Sequence, residues 1–248
     1  MIIIKSRAEI ELMRQAAEVT ALILRELSRV IRPGISTWDV DRFVEDTILS
    51  HGMIPAFKGY SGYPASACVS VNHQVVHGIP SKKRRLEEGD IVSVDIGTIH
   101  RGYYSDAART YPAGEISAEA ARLIATAEAS FFKGLEFCRA GNRLSDVSAA
   151  IQSRVEEEGF SVVREFVGHG IGRKMHEEPQ IPNYGLPGRG PRLAPGMVLA
   201  IEPMINQGGW EVDLMEDGWT VETRDKKLSA HYENTVVITD GEPLLLTI

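Results

Sequence analysis

The chain has 248 residues, 43% of them hydrophobic and 25% charged, the composition of an ordinary globular protein and not of a disordered or fibrous one. With 34 acidic against 27 basic residues the formal charge is −7, which excludes a general attraction to DNA or to an anionic membrane surface. The apolar run at positions 2–4 is too short for a signal-peptide core, no stretch approaches the roughly 18 apolar residues of a membrane span, and two cysteines, Cys68 and Cys138, cannot make a disulfide framework, so a cytoplasmic protein is expected.

Residues 6 to 31 read as a long helix. Ser6 with Glu9 three positions on makes a capping box, and Ile10, Met13, Ala17, Ile23, Leu24, Leu27 and Ile31 keep a helical stripe until Pro33 and Gly34 stop it. A second helix is expected from about Ser36 to Ser50, closed by Gly52. Strand signals follow at 91–96, IVSVDI, and from Tyr103 through Asp106 to Thr110, on either side of the turn candidate Ile99-His100-Arg101-Gly102. With the turn centred between His100 and Arg101, Asp95 and Asp106 become direct cross-strand neighbours, about 4.5 to 5.5 Å apart at Cβ. Like charges that close repel unless a proton or a cation lies between them. Two solvated acids near a turn remain the plainer reading of that spacing.

Ser117 opens a third helix to about Arg139, and Ser145 a fourth that ends at Gly159. This second helix pair echoes the first, because Arg32, Gly34, Asp39, Val40 and Gly52 fall without a gap on Arg139, Gly141, Asp146, Val147 and Gly159, at a constant offset of 107. Any two capped amphipathic helices share such features, but here each pair is also followed by strand-like sequence. The expectation is one α+β domain over 1–248, built from two similar halves of about 6–112 and 113–248, with helices covering one face of a mostly antiparallel sheet.

Further chemistry lies downstream. Glu165-Phe-Val-Gly-His169-Gly-Ile-Gly places a histidine among glycines that would let the backbone come close to a ligand, Glu202 ends an apolar strand, and Glu233 opens a strongly strand-forming run. Singly, these read as a hydrogen-bonded core histidine and sheet-edge charges. Together with Asp95 and Asp106 they make four carboxylates and one imidazole, a donor set for hard or borderline divalent ions, and two ions sharing bridging carboxylates balance that charge better than one. A two-metal hydrolase is expected.

Five blocks, GYPASACVSVNHQVVHGIP (62–80), VSVDIGTIHRGYYSDAART (92–110), GHGIGRKMHEEPQIPNY (168–184), IEPM (201–204) and HYENTVVIT (231–239), closely resemble the type I methionine aminopeptidases over nearly the whole chain. The resemblance implies the two-half pitta-bread fold, removal of the initiator methionine from new chains when the second residue is small, and attack by a hydroxide bridging two divalent ions (Co, Mn, Fe, Zn or Ni). It implies Asp95, Asp106, His169, Glu202 and Glu233 as metal ligands, with Asp106 and Glu233 bridging. It gives Glu202 the proton shuttle, His77 a contact near the substrate amine and scissile peptide, and His176 the hydrogen bond to the developing oxyanion. The methionine pocket is implied at Tyr60, Tyr63, Cys68, Trp219 and Met175, where many members carry an aromatic residue, with Phe57 in place of a smaller one. Asn72 and Ser229 match a monovalent cation position. The family is usually monomeric. The basic run Lys82-Lys83-Arg84-Arg85 reads as a solvated turn or as a contact with ribosomal RNA.

Prolidases and Xaa-Pro aminopeptidases use a similar ligand set but usually carry an additional amino-terminal domain, whereas the first helix here begins at Ser6. Type II enzymes have a large insertion between the HGIG and IEP blocks, whereas His176 and Glu202 stand 26 positions apart. A non-catalytic peptide-binding member of the fold would have lost ligands that this chain retains.

Overall fold

The computed structural model describes residues 1–248. Helix α1 (Arg7–Val30) starts at Ser6, whose side chain accepts from the Glu9 amide while Glu9 reaches back, and α2 (Thr37–Ser50) repeats the device with Ser36 and Asp39. Strands β1 (Ile54–Pro55), β2 (Ala67–Val71), β3 (Gln74–Val76), β4 (Asp90–His100) and β5 (Tyr103–Ala113) follow. Helices α3 (Ala118–Leu135) and α4 (Leu144–Glu157) come next. The rest is strand: β6 (Ser161–Val162), β7 (Gly168–Gly170), β8 (Glu177–Ile181), β9 (Val198–Ile201), β10 (Met204–Asn206), β11 (Val212–Leu214), β12 (Val221–Thr223), β13 (Ser229–His231), β14 (Asn234–Val237) and β15 (Leu244–Leu245). Every strand pairing is antiparallel, and no helix is long and apolar enough to cross a membrane.

Each helix pair packs on the strands of its own half and has its own core. Ile23, Leu24 and Leu27 of α1 and Val40, Val44 and Ile48 of α2 bury against Val69, Val92, Val94 and Ala107 of β2, β4 and β5. Leu123, Phe131, Val147 and Ile151 of α3 and α4 bury against Leu199, Ile201, Ile205 and Val236. A third cluster joins the halves, with Met13, Phe57, Tyr63, Cys68 and Tyr103 on one side and Ile171, Met175, Val198, Ala200 and Val237 on the other. The functional cavity opens at that seam.

Four local expectations need correction. The hairpin turn is centred on Arg101-Gly102, both at positive φ (48° and 79°), so His100 pairs with Tyr103, Asp95 with Ala108 and Asp106 with Gly97. A two-residue turn of this twist wants glycine as its second central residue, and Gly102 takes that place. The two aspartates are therefore diagonal neighbours on one face, not direct partners. Helix α3 stops at Leu135, short of Arg139. Helix α4 begins at Leu144, with the Asp146 carboxylate accepting from the Arg143 amide at 2.8 Å, while Ser145 instead bonds Arg189.

The fourth concerns the glycines around His169, which make room for neighbouring strands and not for a ligand. A Cβ at Gly168 would stand 2.5 Å from the Ala200 carbonyl oxygen, and one at Gly170 2.2 Å from that of Glu178. With side chains there, β7 could not sit between β8 and β9.

Candidate active site

All thirteen residues expected as divalent-metal ligands, catalytic groups or pocket walls line one cavity of about 160 Å³, together with Ser61: Phe57, Tyr60, Tyr63, Cys68, His77, Asp95, Asp106, His169, Met175, His176, Glu202, Trp219 and Glu233. Strand geometry explains the convergence. Asp95 and Asp106 share a face of the β4–β5 hairpin, His169 sits mid-way along β7, Glu202 directly follows β9, and Glu233 lies between β13 and β14. The two halves are stitched beside the acids: Glu233 N donates to the Ala108 carbonyl at 3.0 Å, and Thr235 Oγ1 donates to the Asp106 carbonyl at 2.8 Å. Arg109 adds a clamp that sequence reasoning missed. Its guanidinium donates to the Glu233 carbonyl and, at 2.7 Å, to Asn234 Oδ1, and stacks over the Tyr232 ring at 4.0 Å.

Burial dominates the electrostatics. It pushes the carboxyl pKa values of Asp95, Asp106, Glu202 and Glu233 above their ordinary range, and for Asp95, Glu202 and Glu233 the neighbouring acids raise them further. Two carboxylates 4 Å apart repel by about 4 kcal/mol at an effective dielectric of about 20. Set against total fold stabilities of about 5 to 15 kcal/mol, four such groups cannot all ionise without a countercharge. Oδ1 of Asp95, Oδ1 of Asp106, Oε1 of Glu233 and Nε2 of His231 are buried with no hydrogen-bond partner. Buried polar atoms are rarely left so.

Divalent metal ions fit this arrangement. The donor atoms form two triplets, each within 4.8 Å of one another: Asp106, His169 and Glu233, and Asp95, His231 and Glu233. His169 is set up as a nitrogen donor, because its Nδ1 lies 2.9 Å from the Gly170 carbonyl, which can only accept, so the proton is on Nδ1 and the Nε2 lone pair faces Asp106 and Glu202, each at 3.6 Å. Burial lowers the His169 pKa to about 4, which keeps the ring neutral near pH 7. His231 was not assigned from the sequence. The signal was its place two residues before Glu233, since in extended chain residues i and i+2 share a face.

Two further imidazoles, His176 and His77, line the cavity. His176 Nδ1 lies 2.8 Å from the Tyr60 hydroxyl and its ring 4.3 Å from that of His169. Burial, then His169, lowers its pKa to about 4. His77 holds a left-handed backbone (φ 59°) with its ring edge-on to Phe166 at 5.5 Å. Gly78 beside it allows the close approach, since a Cβ there would lie 2.5 Å from the Val69 carbonyl oxygen. Burial lowers the His77 pKa to about 4.

The remaining wall is apolar and sulfur-bearing. Cys68 and Met175 are buried, Tyr63 meets Trp219 edge-on at 5.1 Å, and burial pushes the Cys68 thiol up, so it stays protonated. Phe57 fits because Gly97, opposite Asp106, has no side chain; a Cβ there would come to 3.0 Å from the Phe57 ring. Away from the cavity, Ser229 N donates to the Asn72 carbonyl at 2.9 Å, Arg84 pairs with Asp90 at 3.1 Å, and Arg85 donates to the Gly34 carbonyl at 2.7 Å.

An antiparallel two-half fold with buried acids and a neutral histidine at the seam describes a metallopeptidase, and the sequence profile of metallopeptidase family M24 matches residues 11–240. The chain belongs to that family. It is 56% identical over 248 residues to the methionine aminopeptidase of Clostridium acetobutylicum, covering 100% of this chain and 99% of that protein. Among solved structures, the methionine aminopeptidase of Thermotoga maritima shares 48% identity with a TM-score of 0.98, covering 100% of this chain and 99% of that one. The prolidase of Pyrococcus furiosus shares the pitta-bread fold at 25% identity and a TM-score of 0.81, covering 99% of this chain but 65% of that one.

Proposed function

We propose that this chain is a cytoplasmic, metal-dependent methionine aminopeptidase that removes the initiator methionine from new polypeptides whose second residue is small. The observation that carries this reading is the joining, in one cavity, of four carboxylates, two buried and two half-buried, and a neutral imidazole with an apolar, sulfur-bearing wall. At about 160 Å³ the cavity is below the range of drug-sized ligand sites, about 300 to 1,000 Å³, and suits one unbranched side chain.

Asp95, Asp106, His169, Glu202 and Glu233 would hold two divalent ions, with Asp106 and Glu233 shared between them. Such ions supply Lewis acidity and make water nucleophilic at neutral pH. The protein's own groups do the rest. The free α-amine of the substrate would bind at the metal centre these residues hold, which would restrict cleavage to chain ends. With the Tyr60 hydroxyl as donor to His176 Nδ1, 2.8 Å away, the ring proton would sit on Nε2, a donor for the scissile carbonyl oxygen as it gains charge. Glu202, partly open to the cavity, carries a proton to the leaving amine. His77 contacts the substrate beside its amine, and Tyr60, Tyr63, Cys68, Phe57, Met175 and Trp219 enclose the thioether.

Asn72 and Ser229, joined through their backbones, are the proposed monovalent cation position. A ribosome contact would fall to Lys82 and Lys83, because Arg84 and Arg85 are engaged within the fold. Alanine at both lysines then lowers salt-sensitive ribosome binding, and unchanged binding retires the contact. The activity itself is tested with Met-Ala-Ser, Met-Lys-Ser, acetyl-Met-Ala-Ser and Xaa-Pro peptides. Cleavage of the first alone is expected. Preference for Xaa-Pro peptides would instead make the chain prolidase-like.

A further inference from the structure

We infer that His231 is a sixth metal-binding side chain, which gives the Asp95 side of the centre a nitrogen donor that the five-residue set leaves all-oxygen. The inference deepens the metal-centre reading above and rests on it.

The donor atoms fall into two triplets of like composition, each pairing one histidine with one aspartate and sharing Glu233. Within them the two imidazoles stand in nearly the same relation to the acids. His169 Nε2 is 3.6 Å from Asp106 Oδ2 and 3.6 Å from Glu202 Oε1; His231 Nε2 is 3.7 Å from Glu233 Oε2 and 4.0 Å from Glu202 Oε2. All four separations exceed hydrogen-bonding distance. They match donors arranged around a common ion, because metal–nitrogen and metal–oxygen distances of about 2.0 to 2.2 Å put neighbouring donors about 3 to 4 Å apart.

Two further observations set His231 apart from an ordinary core histidine. Its Nε2 is buried without a hydrogen-bond partner although the residue is only 2% exposed. Its backbone is pinned from both sides by one residue, Thr110, whose Oγ1 accepts from the His231 amide at 2.9 Å and donates to the His231 carbonyl at 2.9 Å. The backbone is thus held in place, and the ring presents an unpartnered nitrogen to two acids.

A nitrogen donor on that side raises affinity for the second ion and favours imidazole-preferring metals such as Zn, Co and Ni over Mn. The test is X-ray absorption on the full chain loaded with two equivalents of Zn, which counts imidazoles per metal pair, together with calorimetric titration of Zn into the apo protein. Two imidazoles per pair are expected. His231→Gln should bind its first equivalent unchanged, its second about ten-fold or more weakly, and show one imidazole per pair. Two bound ions with a single imidazole in the unmodified protein would overturn the assignment of His231 while leaving the two-ion centre intact. An unchanged second affinity in His231→Gln would overturn it as well. Binding of only one equivalent by the unmodified protein would overturn both readings together.

Discussion

At a constant spacing of 107 residues the amino-terminal and carboxy-terminal halves repeat each other down to single hydrogen bonds. Helix α2 returns as α4, residue for residue. Gly34 N donates to the Leu86 carbonyl at 2.7 Å and Gly141 N to that of Leu193 at 2.9 Å, and Arg85 caps Gly34 as Arg192 caps Gly141, at 2.7 and 2.8 Å. Carried forward, the spacing sets Asp95 opposite Glu202. There the halves part. The first half keeps an unbroken hairpin of two 11-residue strands carrying short aspartates, while the second breaks its strands at Glu202 and Glu233, carries three of the four site histidines and adds the β11–β12 hairpin that brings Trp219 to the cavity. The frame is duplicated, and the chemistry comes from what each copy did not keep in common. In the proposed mechanism the shorter aspartates only hold metal, while Glu202, one methylene longer, would also carry a proton.

The sharpest way to break that division of labour is to neutralise the paired acids. Glu202→Gln should lower kcat for Met-Ala-Ser by about 10²- to 10⁴-fold, with no rescue by excess metal. Asp95→Asn should lose metal affinity and recover part of its activity when metal is raised. Identical behaviour of the two variants would show that the equivalent positions do equivalent work.

Next in size is the stabilisation by metal, about 2.7 kcal/mol at a metal concentration of 100 Kd. The carboxyl pKa values are raised in the folded apo protein, so it holds extra protons above the ordinary carboxylate range, and its stability falls as pH rises through that window. His169 and His231, lowered by burial to about 4 and about 3, are already neutral at pH 5.5, and the stability they contribute is lost only as pH falls from their ordinary value toward those figures. Metal displaces protons from the acids and almost none from the imidazoles. Thermal melts with and without Mn should therefore show a larger gain at pH 8 than at pH 5.5; equal gains would mean that the acids are already ionised without metal.

Backbone substitutions sharpen the comparison at smaller scale. Gly170→Ala, which has no counterpart in the first half, should destabilise by about 1 to 3 kcal/mol through contact with the Glu178 carbonyl, read from urea midpoints. Gly34→Ala and Gly141→Ala, at φ 88° and 92° with open space around each, should each cost about 1 kcal/mol, and equally.

Much of this was legible in the sequence because it depends on local rules. Capping boxes at Ser6 and Ser36 and a periodic apolar stripe mark α1 and α2, and the offset of 107 marks the second pair. Ten of the thirteen cavity residues were legible through the motif blocks, and Phe57, Tyr60 and Trp219, which lie outside the blocks, only through the wider family resemblance, since no local rule brings Glu233 to Asp95. What the sequence hid depends on partners far away. The hairpin register turned on which two residues form the turn. The glycines flanking His169 looked like room for a ligand until Ala200 and Glu178 were seen against them. Arg109 gains meaning only from the hydrogen bonds that join the halves at Glu233, and His231, two residues before Glu233, only from the acids that the fold gathers around it.

The central claim is that these buried acids act through bound metal to free an N-terminal methionine. Its most direct test is the release of free methionine from Met-Ala-Ser by chelator-treated protein as Mn or Co is added back, with bound metal measured in the same samples. Release that is absent at the start and rises with metal occupancy is the predicted result. Full release before any metal is added, or none at two bound equivalents, would contradict it.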